Sequence, residues 1–148
     1  MKTRRLFLTT LALASAWRMA HASAPVKATC ARDLMAVHGL RVPHAQWLRS
    51  ERPSGDTQVL CRSVYAVPGR HARAVEALLI RKYGMAPLAF TCCGWAPAKG
   101  SEGQFKRAHP LADGAEAHYA IALASEETLE KRWDRIARFY LTMTVYAV

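Results

Sequence analysis

The chain has 148 residues, 51% of them apolar and 22% charged, with a formal charge of +10. That length and apolar content suit one folded domain with a real core and exclude a disordered or low-complexity chain. No apolar stretch reaches the roughly 20 residues that a membrane-spanning helix needs, so no transmembrane helix is expected.

The first ten residues, MKTRRLFLTT, carry a basic cluster of Lys2, Arg4 and Arg5. An apolar run over 6–17 follows, and Ala20-His21-Ala22 supplies a small-x-small cleavage site. This is the pattern of a removable secretory signal, and the expected cut is after Ala22. Thr3-Arg4-Arg5-Leu6-Phe7-Leu8 also resembles the twin-arginine export motif, so the Sec and twin-arginine routes both stay open. Cleavage removes Lys2, Arg4, Arg5 and Arg18 and no acidic residue, which takes the formal charge from +10 to +6 and leaves 126 of the 148 residues. The expected product is a single periplasmic or secreted domain over 23–148. Its remaining charge favours an anionic partner: an acidic protein, a lipid head group or a cell-wall polymer. Nucleic acid is not expected, because no groove-reading motif is present. Nothing in the chain indicates an oligomeric state.

Residues 29–38, TCARDLMAVH, place Ala31, Leu34, Met35 and His38 on one helical face, and Gly39 suits a C-cap. Residues 44–50 read as a strand or a further helical turn, and 51–56 as a loop. Residues 57–67 alternate as a strand with Cys61 on the more apolar face, ended by Pro68-Gly69. Residues 70–83 show the clearest helix: Ala72, Val75, Leu79 and Tyr83 form a stripe, and Gly84 stops it. A strand over 88–93 comes next, with Cys92 and Cys93 on opposite faces. After a loop-rich stretch holding a short strand at 104–106, residues 118–124 form a strand. Ser125, Glu126 and Glu127 then read as the start of a helix that buries Leu129, Trp133 and Ile136. Residues 139–148 end the chain as a strand. The order βαββαβ predicts an α+β, ferredoxin-like antiparallel sheet with an added N-terminal helix and, at 44–50, an extra strand.

Little in this chain can carry chemistry. There is no G-x-S-x-G, no phosphate loop, and no zinc spacing among His38, His44, His71, His109 and His118. Glu116 and His118 share a strand face and could act as an acid/base pair, but such residues more often form a solvated face. No catalytic residue, cofactor or metal site is assigned, and an enzyme is not the expectation.

The cysteines are Cys30, Cys61, Cys92 and Cys93. An even count in an oxidising compartment indicates disulfides, and four cysteines allow three full pairings. Cys92-Cys93 lacks the C-x-x-C arrangement at a helix start that lowers a thiol pKa. Two adjacent thiolates could hold a soft metal such as Cu(I). In a ferredoxin-like sheet the strands holding Cys61 and Cys92 lie two steps apart, about 10 Å, beyond the ~7 Å that a disulfide spans. That leaves Cys30 as the expected partner of one of the pair, tying the first helix to the sheet. Trp47 and Trp95, near loops and arginines, have the composition of a binding hot spot, against the alternative that both are core plugs.

V-Y-A-V-P-G (64–69), K-Y-G-M-A-P-L-A-F-T-C-C-G-W (82–95) and the stretch over 126–146 resemble a family of small exported bacterial proteins of unknown function. The hallmark of that family is a strand ending C-C-G-W-E, matched here by Cys92, Cys93, Gly94 and Trp95. The chain departs from it at Ala96, where the family has Glu. The resemblance implies a setting among secretion-system and toxin–immunity genes and carries over no catalytic residue.

The expected function is that of a small exported binding protein, specifically an immunity protein that neutralises a secreted toxin. The alternative is a thiol redox or soft-metal protein using Cys92 and Cys93. A third reading is an envelope factor that binds anionic polymer.

Overall fold

The computed structural model describes residues 30–56 and 58–147. The signal segment expected over 1–22 lies outside them. In chain order the elements are α1 (Leu34–Val37), β1 (Gln46–Glu51), β2 (Val59–Pro68), α2 (Gly69–Tyr83), β3 (Leu88–Thr91), β4 (Gly94–Pro97), β5 (Gly103–Ala108), β6 (Glu116–Ser125) and β7 (Arg138–Tyr146). Short 3₁₀ turns occupy Ala98–Gly100, Pro110–Ala112 and Trp133–Arg135.

Five strands form one antiparallel sheet in the order β1-β2-β7-β6-β5. Alternation places Tyr65 and Val67 of β2, Phe139, Leu141 and Met143 of β7, and Tyr119, Ile121 and Leu123 of β6 in the core. Ala72, Val75 and Leu79 of α2 join the same cluster. The stripe expected over 70–83 therefore forms as a helix, and Gly84 ends it in the left-handed conformation at φ 72°. Of the strand or helical turn expected over 44–50, a strand forms from Gln46 to Glu51, and this β1 is an edge of the sheet.

The ferredoxin-like expectation is overturned. The protein is mostly antiparallel β, with a five-stranded and a two-stranded sheet and few helices. Two segments account for the difference. Residues 88–93 do not enter the main sheet. The chain turns at Cys92-Cys93, and β3 pairs with β4 as a separate hairpin in which Thr91 faces Gly94. The helix expected from Ser125 is also absent. The Ser125 hydroxyl accepts the backbone N–H of Trp95 at 2.9 Å instead of capping a first turn. The N–H of Thr128 is drawn to the Cys93 carbonyl at 2.7 Å. These bonds to the hairpin compete with helical bonds and win, so the segment runs irregularly to the 3₁₀ turn at Trp133–Arg135. Trp133 and Ile136 are buried as expected, whereas Leu129 is exposed. The N-terminal helix is a single turn, capped by Asp33.

The disulfide also differs from the expected one. Cys30 bonds Cys61, with Cα atoms 5.4 Å apart, and Cys92 and Cys93 are free. The bond does tie the segment before α1 to the sheet, but through β2 and not through the hairpin.

Candidate functional site

The edge strand β1 presents an exposed apolar pair. A bulge between Trp47 and Arg49 inserts Leu48 as an extra residue. Trp47 is 41% exposed and Leu48 39%. The Trp47 indole N–H donates to the Ser50 hydroxyl at 3.2 Å, which fixes the ring along the strand. Beside it lies a groove of about 610 Å³ lined by Met35, Leu40, Val42, Pro43 and Trp47, among others. Arg41 lines the groove and Arg49 lies on β1, both exposed. Of these, Arg49 is paired with Glu51 at 3.0 Å.

The floor of the groove is held by hydrogen bonds. The Tyr65 hydroxyl donates to Asp33 and accepts the Met35 N–H at 3.0 Å. Burial, reinforced by the bond to Asp33, pushes the Tyr65 phenol well above its ordinary range. The Ser63 hydroxyl accepts the Leu34 N–H at 3.2 Å. The one-turn helix is thus pinned onto β2.

Trp95 is placed differently. It is half-buried, with its ring 5.2 Å from that of Trp133 and 5.5 Å from that of Phe90. Its indole N–H donates to the Glu130 carbonyl at 3.4 Å. Of the two tryptophans, Trp47 is exposed and Trp95 is half-buried against the core.

Cys92 and Cys93 occupy the two-residue tip of that hairpin, both exposed. Cys92 has φ 54°, a region that favours glycine. The Cys93 thiol is pushed above its ordinary range by its hydrogen bond with Cys92, then by the charge of Cys92, slight desolvation and Glu127. Gly94 follows, where a Cβ would meet the Ser125 hydroxyl at 3.0 Å.

One cluster has no counterpart in the sequence reading. His38 Nε2 and the Tyr119 hydroxyl lie 2.5 Å apart, and His109 sits with its ring 5.2 Å from that of His38. His109 is 3% exposed, and its Nδ1 accepts the Leu111 N–H at 3.0 Å, so the ring proton is on Nε2. Burial first, then neighbouring charge (Arg107 for His38, His38 for His109), holds both imidazoles below their ordinary range. No linear spacing reveals this grouping, because α1, β6 and the loop after β5 bring it together. Glu116, the proposed partner of His118, is paired with Lys106 at 3.4 Å, as a solvated face would be. Among the described residues no three His, Cys, Asp or Glu side chains are placed to hold a metal ion.

Fold and surface together define a disulfide-stapled, antiparallel β-sheet domain with one long helix. Residues 18–95, more than half of the chain, match a domain of unknown function (DUF4952), and the chain belongs to that family. An uncharacterised family is also what the resemblance implied. No curated protein and no solved structure matches the chain. The Cys30–Cys61 bond fits an oxidising compartment, and no helix among the described residues is long and apolar enough to cross a membrane.

Proposed function

We propose that the chain is a small exported binding protein, of the kind that neutralises a secreted toxin, and that it meets an acidic protein partner through Trp47 and Leu48. The observation that carries this reading is the pair itself: two large apolar side chains left open on an edge strand, beside a partly apolar groove that Arg41 also lines. An aromatic anchor with arginine around it is the usual composition of an interface hot spot. The groove also has a rigid floor, which lowers the ordering cost of binding. The test is co-expression in the periplasm with the toxin-like product of a neighbouring gene. The wild type should bind it stoichiometrically and protect the cell, and Trp47→Ala/Leu48→Ala should do neither while staying folded. Protection unchanged in that variant, or no complex with the wild type, overturns the reading.

A second reading rests on the hairpin tip, where both free thiols are exposed on neighbouring residues. It makes the chain a thiol redox or soft-metal protein. Cys92→Ser and Cys93→Ser should each abolish thiol exchange or Cu(I) uptake, and a fully active double variant removes it.

A further inference from the structure

The N-terminus of α2 is uncapped. Its N-cap residue is Pro68, which offers no side-chain acceptor, and its first turn holds no acidic residue. A 15-residue helix therefore begins with N–H groups that no side chain caps, at its positive dipole end. Gly69 lets the carbonyls of Trp133 and Ile136 press directly against the start of the helix, because a Cβ at that position would overlap both oxygens. That contact brings the 131–134 turn alongside Arg70 and Arg73.

An open groove of about 340 Å³ results, walled by Arg70, Arg73, Lys131, Arg132, Trp133 and Asp134. Four of those six residues are cations. Asp134 is tied to Arg132 at 2.8 Å. Among the described residues the other three cations make no ion pair within 4.0 Å. Arg70 donates to His71 at 3.1 Å, Arg73 lies 4.5 Å over the Trp133 ring, and Lys131 lies 5.5 Å over that of Phe90. A separate observation concerns Trp133. It is only 4% exposed, and its indole N–H is buried without a hydrogen-bond partner among the described residues. A buried donor left without an acceptor costs stability, which a bound acceptor would restore.

We propose that this groove is a binding site for a phosphate-bearing anion. Helix N–H groups, guanidinium forks and an indole donor together suit a group with several acceptor oxygens and more than one charge. A single carboxylate would leave most of these donors unused. The site is distinct from Trp47 and β1 and does not rest on the protein-binding reading.

The test uses the mature full-length chain at low salt, observed through its indole N–H signals by NMR. The probes are inorganic pyrophosphate, vesicles containing phosphatidylglycerol, and neutral phosphatidylcholine vesicles. Pyrophosphate should move the Trp133 indole signal saturably and leave that of Trp47 in place. Arg70→Gln/Lys131→Gln should lose the effect while keeping the wild-type circular dichroism, since both side chains are exposed. Saturation by pyrophosphate identifies a free anion as the ligand. Binding only to the anionic vesicles, through the same two residues, identifies a lipid headgroup. No response to any probe, or an equal response in the double variant, overturns the proposal.

Discussion

The Asp33 carboxylate accepts the Tyr65 hydroxyl through the same Oδ1 that caps α1, where it also receives the N–H groups of Met35 at 2.9 Å and Ala36 at 3.3 Å. One oxygen thus holds a one-turn helix that is too short to persist alone. Tyr65→Phe should lower stability by about 1–2 kcal/mol, and Asp33→Ala by about 2 kcal/mol because it also strands a buried hydroxyl. Urea unfolding of both single variants and the double variant should show a coupling of about 1 kcal/mol. Strict additivity would mean that the two residues act separately.

The His38–His109 pair should make the fold acid-sensitive. Both imidazoles hold protons less tightly in the folded state than in the unfolded chain, through burial and neighbouring charge. The unfolded state therefore takes up protons first as pH falls through 6.5, and stability that is complete above that point is lost below it. The urea midpoint should drop between pH 7.5 and pH 5. Part of that drop should vanish in His38→Gln/His109→Asn.

These two relationships show where the sequence was readable. Helix α2 could be read because its apolar stripe, its polar outside and Gly84 are all local. The strands β2, β6 and β7 could be read because their alternation is local too. Ser125-Glu126-Glu127 has the local pattern of a helix start, yet the Ser125 hydroxyl serves Trp95, 30 residues away. Local propensity lost to tertiary hydrogen bonding. The misplaced disulfide has the same root. Once β3 is put in the main sheet, Cys61 and Cys92 lie too far apart to bond, and Cys30 is assigned to the Cys92-Cys93 pair. The anion groove joins the start of α2 to the 131–134 turn, and no pattern along the chain marks that approach. Trp47 was legible as a candidate contact, but only the structure separates it from Trp95.

Gly69 should tolerate no side chain. Any Cβ there meets backbone oxygens on both sides, which cannot rotate away. Gly69→Ala should cost about 3 kcal/mol or prevent accumulation of folded protein. Gly84→Ala, at φ 72° with nothing within 4 Å, should cost only about 1 kcal/mol. Thermal unfolding of the two variants gives the comparison, and equal losses would refute the close approach at Gly69.

The Cys30–Cys61 bond closes a loop of 31 residues. Chain entropy assigns such a loop about 3–4 kcal/mol. Cys30→Ala/Cys61→Ala should lose that amount in urea unfolding, and reduced wild type should match it. Cys92→Ser/Cys93→Ser should leave stability within about 0.5 kcal/mol, as expected of exposed positions. Peptide mapping under non-reducing conditions should recover a Cys30–Cys61 cross-link, and a Cys30–Cys93 cross-link would contradict the fold.

Trp47 and Trp95 should respond oppositely to truncation. The Trp95 ring fills the space between Phe90 and Trp133, and its N–H is bonded to Glu130. Trp95→Ala should therefore open a cavity under the hairpin and cost about 2–3 kcal/mol, less than a fully buried tryptophan because the site is partly open. Trp47 stands on an edge strand with one bond to Ser50, so Trp47→Ala should cost less than about 1 kcal/mol. Binding is expected to reverse the order. Removing Trp47 should weaken partner affinity by about 2 kcal/mol, the scale of a central aromatic anchor. Trp95→Ala should weaken it only as far as it unfolds the domain. Measured together, stability and affinity separate the plug from the contact: a Trp47→Ala protein as unstable as Trp95→Ala would show that both tryptophans serve the core.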